Sequence, residues 1–251
     1  MTSGMMSSLT HDRMLELIAD RTAVLRSSVA GALGAPVPGC PEWTGRDLVA
    51  HLGEVHRFWA AVVAAGSPVK PPEDVDVPER EPSGDLLDWS ERSTETLLAA
   101  LSDAGPDRAV WTWWGEPALS GAVARHQVQE AAVHAWDAED TVGRAGTLPE
   151  AVAVDGIDEF LTVYLPVSGG WPHPAATVGI AADEAPGGGW RVALTAEGGR
   201  PERGEASGDA AVRGSASQIV LAFYGRRGLE AMSVGGDRQL AERFFGWFTT
   251  E

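Results

Sequence analysis

The sequence predicts an α+β protein: a helical bundle over residues 1–167 followed by a small α+β domain over residues 168–251. Three observations carry that expectation. Up to about residue 167, apolar residues recur at helical spacing through several long segments. Ser168-Gly169-Gly170-Trp171-Pro172-His173-Pro174 then interrupts the pattern as a linker. Beyond it, short strand-like runs alternate with shorter helices, as in α+β domains. At 251 residues with 44% hydrophobic composition, the chain is long enough to bury a core without disulfides or a structural metal.

The elements follow in order. Residues 10–33 place Met14, Leu17, Ile18, Val24 and Leu25 on one apolar stripe, which predicts a first helix. Ala35 to Pro41 is rich in proline and glycine and reads as a loop. Thr44-Gly45-Arg46-Asp47 resembles a capping box with Asp for the usual Glu, opening a second helix to about Ala65. Ser67 to Pro82 reads as an exposed loop. A third helix starts at Ser83 or Asp85, runs through Leu87, Leu97, Leu98 and Leu101, and stops at Gly105-Pro106. A fourth spans Leu119 to Val142, and a fifth Leu148 to Leu165. Four long helices with antiparallel connections make a bundle. In the second part, Thr177 to Ala181 and Trp190 to Thr195 read as strands joined at Gly187-Gly188-Gly189, with a short strand at Ala210 to Arg213. Ser215 starts a helix to about Tyr224, Met232 to Val234 is strand-like, and Asp237 to Phe248 forms a terminal helix.

Charge sets limits on partners. With 36 acidic and 19 basic residues the formal net charge is −17, a surface that repels phosphates and argues against nucleic acid or an anionic membrane. The longest apolar run, Phe58 to Ala65, is too short for a bilayer, which needs about 20 residues. Met1 to Leu9 lacks the basic and apolar regions of a secretory signal, so the expected location is the cytoplasm. A single cysteine, Cys40, excludes an internal disulfide or a multi-cysteine metal site. The acidic stretches Glu73 to Glu81 and Glu197 to Asp209 read as solvated surface, and most of the ten tryptophans as core or pocket walls.

The residues able to do chemistry lie on two helices. Glu130 and His134 are four apart on the fourth helix, about 40° around its axis and one turn along it, so both reach one point beside the helix. A carboxylate and an imidazole so placed suit a zinc-type ion, although a surface Glu–His pair has the same spacing. His51 and His56 on the second helix are five apart, about 140° around the axis, and only one can serve the same ion. Asp47, one turn before His51, and Asp137, three after His134, are candidates for orienting those rings. His56 points to the other side of its helix, toward solvent or a pocket wall. His126, one turn before Glu130, is a rival ligand. The local string His51-Leu52-Gly53-Glu54-Val55-His56 is not the H-E-x-x-H signature, which removes the metalloprotease reading.

Asp47-Leu48-Val49-Ala50-His51-Leu52, then His56-Arg57-Phe58-Trp59, together with Glu130-Ala131-Ala132-Val133-His134-Ala135-Trp136-Asp137-Ala138-Glu139, resemble the mycothiol-dependent maleylpyruvate isomerase family, within the wider DinB-like group of metal-binding four-helix bundles. Gly214-Ser215-Ala216-Ser217, the run Leu221 to Arg227, and Gly236-Asp237 resemble that family's small C-terminal domain, so the likeness covers nearly the whole chain.

The resemblance implies a divalent metal, zinc foremost, on His51, Glu130 and His134, and a low-molecular-weight thiol, mycothiol foremost, as cofactor. A metal-bound thiol is deprotonated and nucleophilic at neutral pH. It also implies a small electrophilic substrate undergoing cis–trans isomerisation or S-transfer. Arg226 matches the family's C-terminal arginine facing the metal cleft and suits a carboxylate; a helix-end role and the adjacent Arg227 compete with that assignment. Trp113 and Trp114, with Trp59, are the candidate cofactor-binding walls, and Trp111 and Trp136 further ones. Cys40 is expected to be structural or incidental. The competing classes are a non-catalytic regulatory protein on the same bundle and a metal-dependent hydrolase using bound water. The expected assembly is a monomer or weak homo-oligomer.

Overall fold

A computed structural model describes residues 9–66 and 77–248. The chain divides into two compact units, Met1–Gly146 and Thr147–Glu251.

The first unit is the four-helix bundle: α1 (His11–Val29), α2 (Gly45–Ala65), α3 (Leu86–Ala104) and α4 (Ser120–Thr141). Each of the first three starts where a side chain caps it. Thr10 accepts from the Arg13 amide, Asp85 from those of Leu87 and Asp88, and Thr44 forms the expected capping box with Asp47. Gly66 ends α2 in the left-handed region, where its φ of 62° costs glycine little. α1 packs chiefly on α4 and α2 on α3. Leu17, Ile18, Leu25 and Val29 of α1 and Leu48, Leu52 and Val63 of α2 are fully or almost fully buried, so the first helix's stripe read from the sequence lies on a core face. α4 is unlike them: from Val123 to Ala138 only Arg125 and Glu130 are not buried. A helix buried on nearly all sides presents its carboxylate and histidines to the bundle interior rather than to solvent.

The Pro/Gly stretch before α2 is not an open loop. β1 (Pro36–Val37) and β2 (Cys40–Thr44) pair antiparallel with an irregular register. A two-residue strand is too short for its alternation to be legible. Of the expected loop Ser67 to Pro82, residues 67–76 lie outside the described residues, as do residues 1–8. Its described end is anchored rather than merely solvated: Glu79 accepts from Arg57 Nη2 at 3.0 Å, and its carbonyl accepts from Trp89 Nε1 at 3.0 Å.

The second unit begins at Thr147, earlier than the boundary at residue 168 expected from the linker, and so includes α5 (Glu150–Val167). The helical reading of this segment holds, but its partners are α6 (Ala216–Phe223) and the strand β5 (Gly198–Arg203). Phe160 of α5 stacks on Phe223 at 4.4 Å, and the Leu148 amide donates to Ser217 Oγ at 2.9 Å. The sheet, completed by β3 (Ala176–Ala182), β4 (Trp190–Thr195), β6 (Ala210–Gly214) and β7 (Ser233–Gly236), has the order β5-β4-β3-β6-β7. β3 and β6 are parallel and the other neighbours antiparallel. β5 falls in the acidic stretch that reads as surface loop; an edge strand carrying Gly, Pro and charge lacks the apolar alternation that reveals central strands. Gly179 is required where the loop before β6 crosses the sheet: a Cβ there would lie 2.7 Å from Ser207 N. Ser215 caps α6 in a second capping box, with Gln218, and Asp237 caps α7 (Arg238–Phe245). Among the described residues no helix is long and apolar enough to cross a membrane.

Candidate metal centre

His51 of α2 and Glu130 and His134 of α4 meet inside the bundle. Each offers one ligand atom, and the three atoms lie within 4.8 Å of one another. His51 Nε2 is 3.2 Å and His134 Nε2 3.4 Å from the same oxygen, Glu130 Oε1. Ligand bonds of about 2.1 Å at tetrahedral angles hold donors about 3.4 Å apart, so the two imidazole–carboxylate spacings, like the donor chemistry, fit a zinc-type ion with coordination positions to spare. Behind His134, Asp137 Oδ2 is 3.0 Å from Nδ1 and accepts its N–H, which leaves Nε2 as the ring nitrogen that faces Glu130.

The electrostatics describe a site built for positive charge. Burial on its own would push the Glu130 carboxyl up, but hydrogen bonds and charge from His134 and His51 hold it well below the usual carboxylate range. Burial would lower the His134 imidazole, yet Asp137 and Glu130, one on each ring nitrogen, raise it to about 9. Two carboxylates around one ring favour a cation between them, whether a proton on His134 or a metal ion.

The other sequence candidates fall elsewhere. Asp47 does not orient His51: its carboxylate accepts from the Thr44 amide at 2.8 Å and from the Thr44 hydroxyl, and is spent on the cap. His56 is neither solvent-facing nor at the triad. It is fully buried, its Nδ1 is 3.2 Å from Thr94 Oγ1, and burial pushes its pKa down to about 3. His126 stands apart from the triad as well, buried amid Trp59, Trp113 and Trp114 at ring distances of 6.3, 5.6 and 5.1 Å. These tryptophans form one cluster, in which Trp59 and Trp114 are buried and Trp113 is 36% exposed. His51 lies by His134 while Trp59, further along α2, lies by His126, earlier on α4; the two helices therefore run antiparallel, with the aromatic cluster toward the α2 C-terminus. Trp136 is buried, its Nε1 donating to the Gly146 carbonyl at 3.0 Å. Cys40 opens β2 rather than sitting in a loop, 4.0 Å from Asp137 Oδ2. Arg226 belongs to the second unit, half-buried, with Nη1 donating to the Tyr224 carbonyl at 2.8 Å; Arg227 beside it is exposed.

One site residue escapes the sequence reading. Trp43, on β2, lays its ring 4.6 Å from His51 and 5.9 Å from His134. Its sequence signal is its place just before the cap Thr44, where an apolar residue staples the chain to the first turn of the helix.

Residues 15–139 match the family model described as the mycothiol maleylpyruvate isomerase N-terminal domain, and residues 151–243 the one described as the MDMPI C-terminal domain. Among solved structures, the crystal structure of the mycothiol-dependent maleylpyruvate isomerase aligns over 90% of this chain and 93% of that one, with a TM-score of 0.59 and 18% identity. The crystal structure of a histidine-to-alanine mutant of a mycothiol-dependent maleylpyruvate isomerase aligns over the same shares, with a TM-score of 0.62 and 17% identity. At such identities the likeness speaks for the fold. No curated protein matches the chain.

Proposed function

The chain belongs to the mycothiol maleylpyruvate isomerase family, and on that premise we propose that it is a metal- and thiol-dependent enzyme acting on a small electrophile. The convergence of His51 Nε2, Glu130 Oε1 and His134 Nε2 carries the reading. Two neutral imidazoles and one carboxylate leave a divalent ion a net positive charge and open positions. Bound there, zinc would hold the sulfur of a low-molecular-weight thiol, mycothiol foremost, as thiolate at neutral pH.

The chain's own residues supply the rest. Asp137 keeps the proton on His134 Nδ1, so that Nε2 donates its lone pair; Glu130 contributes the anionic ligand; Trp43 covers both imidazoles. Arg226 is assigned to the electrophile, its guanidinium matching a carboxylate in two parallel hydrogen bonds. Trp59, Trp113 and Trp114 are assigned as aromatic walls for the thiol cofactor, with Trp113 the ring open to solvent. The reaction is thiolate addition to an activated carbon. Release of the thiol after bond rotation gives isomerisation, and retention of the sulfur gives S-transfer.

Metal analysis of the purified protein tests the centre: stoichiometric zinc in the wild type and none in His51→Ala supports it, and no metal in either sinks it. Turnover is then screened by mass spectrometry with a panel of thiols and electrophiles. Product formed only with added thiol supports the proposal, whereas turnover without thiol points to a hydrolase using bound water. A regulatory protein would show neither.

A further inference from the structure

The two histidines of the triad are held differently. His134 is 3% exposed and has Asp137 on Nδ1, whereas the His51 side chain is 23% exposed. Among the described residues nothing hydrogen-bonds Nδ1 of His51: Asp47 is committed to Thr44, and Asp137 faces His134. Metal-bound imidazoles ordinarily take such a partner to fix ring orientation. What His51 has instead is the indole of Trp43, 4.6 Å away and tilted 46°.

We propose that Trp43 is a positioning residue of His51, its indole supplying by packing the support that a hydrogen-bond partner on Nδ1 would otherwise give. This rests on the metal reading of the triad. Trp43 is suited to the task because its backbone is pinned on both sides. β2 pairs with β1 before it; after it, Thr44 is locked in the capping box, and the Gly45 and Arg46 amides donate to the Ala35 and Leu33 carbonyls at 2.9 and 2.8 Å. The half-buried indole also packs on the core cluster that holds Leu48 and Leu52 of α2 with Ala135 and Ala138 of α4. A ring fixed by the bundle and packed near both imidazoles transmits that rigidity to the ligand whose Nδ1 side has no hydrogen-bond partner among the described residues. It also explains a ring of this size immediately before a helix cap, where a smaller apolar residue would suffice as a staple.

The test uses the full chain as wild type, Trp43→Leu and Trp43→Phe, loaded with zinc or with cobalt(II) as a spectroscopic stand-in. Zinc affinity is measured by competition with a chromophoric chelator, coordination geometry by the cobalt absorption bands, and folding by circular dichroism of the chelator-treated protein. Trp43→Leu is expected to bind zinc about tenfold more weakly and to shift the cobalt bands while keeping its fold. Trp43→Phe, which restores a ring, is expected to recover most of both. Trp43→Met carries the same expectation as Trp43→Leu and replaces it if that variant does not fold. Wild-type affinity and an unaltered cobalt spectrum in the ring-less variant overturn the proposal alone. A wild type that binds neither metal overturns it together with the metal reading.

Discussion

Acidification from pH 7 to pH 4 is expected to destabilise the bundle through His56. Its ring is fully buried, and Thr94 fixes its tautomer. The Thr94 hydroxyl donates to the Ser90 carbonyl at 3.0 Å, so its oxygen accepts from Nδ1–H, and Nε2 carries a lone pair with no partner among the described residues. Burial is the dominant influence on its titration. Glu130 on α4 opposes it, while Arg26 on α1, His51 on α2 and His134 on α4 reinforce it, bringing the pKa from 6.5 to about 3. The unfolded chain therefore takes up this proton below pH 6.5, and the folded chain refuses it until about pH 3. The contribution is fully present above 6.5 and is lost progressively as pH falls through that window. One proton costs about 1.4 kcal/mol per pH unit, or roughly 5 kcal/mol over the whole window, comparable with the entire stability of many domains. Urea unfolding at pH 7, 6, 5 and 4 of chelator-treated wild type and His56→Leu isolates this group, because the other carboxylates and histidines are common to both. The wild type should lose about 1 kcal/mol more per pH unit than the variant between pH 6 and 4. Equal slopes would refute the reasoning.

Three further outcomes follow from the packing and the centre. Gly53→Ala should lower the denaturant midpoint by an amount equivalent to about 2 kcal/mol despite alanine's better helix propensity, because the new methyl overlaps the Trp89 ring, itself buried and tethered to the Glu79 carbonyl; a raised midpoint would contradict this. Asp137→Asn should weaken zinc binding by about 10–100-fold while leaving the fold intact, since it removes the charge behind His134; equilibrium competition with a chelator measures it. Phe160→Ala should cost about 3–5 kcal/mol, because the ring is fully buried against Phe223, Tyr164 and Phe248 at 4.4 to 5.0 Å; thermal unfolding reads the loss.

Much of the architecture was legible in the chain itself. The apolar stripe of α1 and the starts at Thr44, Ser215 and Asp237 are local signals, and Asp85 is the one of two candidate starts that caps α3: a 3.6-residue period and a side chain beside its own backbone need no distant partner. The spacing of Glu130 and His134 belongs to this class, since one helix holds both. The strands β1 and β5 escaped because they are short or on an edge, where pairing rather than sequence pattern makes the strand. α5 was visible as a helix but not as part of the second unit, because an apolar stripe does not name the surface that covers it.

The choice among histidines marks the same division. By itself the sequence determined that the fourth helix presents a carboxylate and an imidazole to one point, and that of His51 and His56 only one can join them. Tertiary structure decided the rest. It brought His51 to Glu130 across 79 residues, buried His56 against Thr94, and enclosed His126 in tryptophans. It tied Asp47 to its cap and left His51 to the indole of Trp43. Helical geometry is set by neighbours in the chain, whereas the environment of a side chain is set by whatever the fold packs against it.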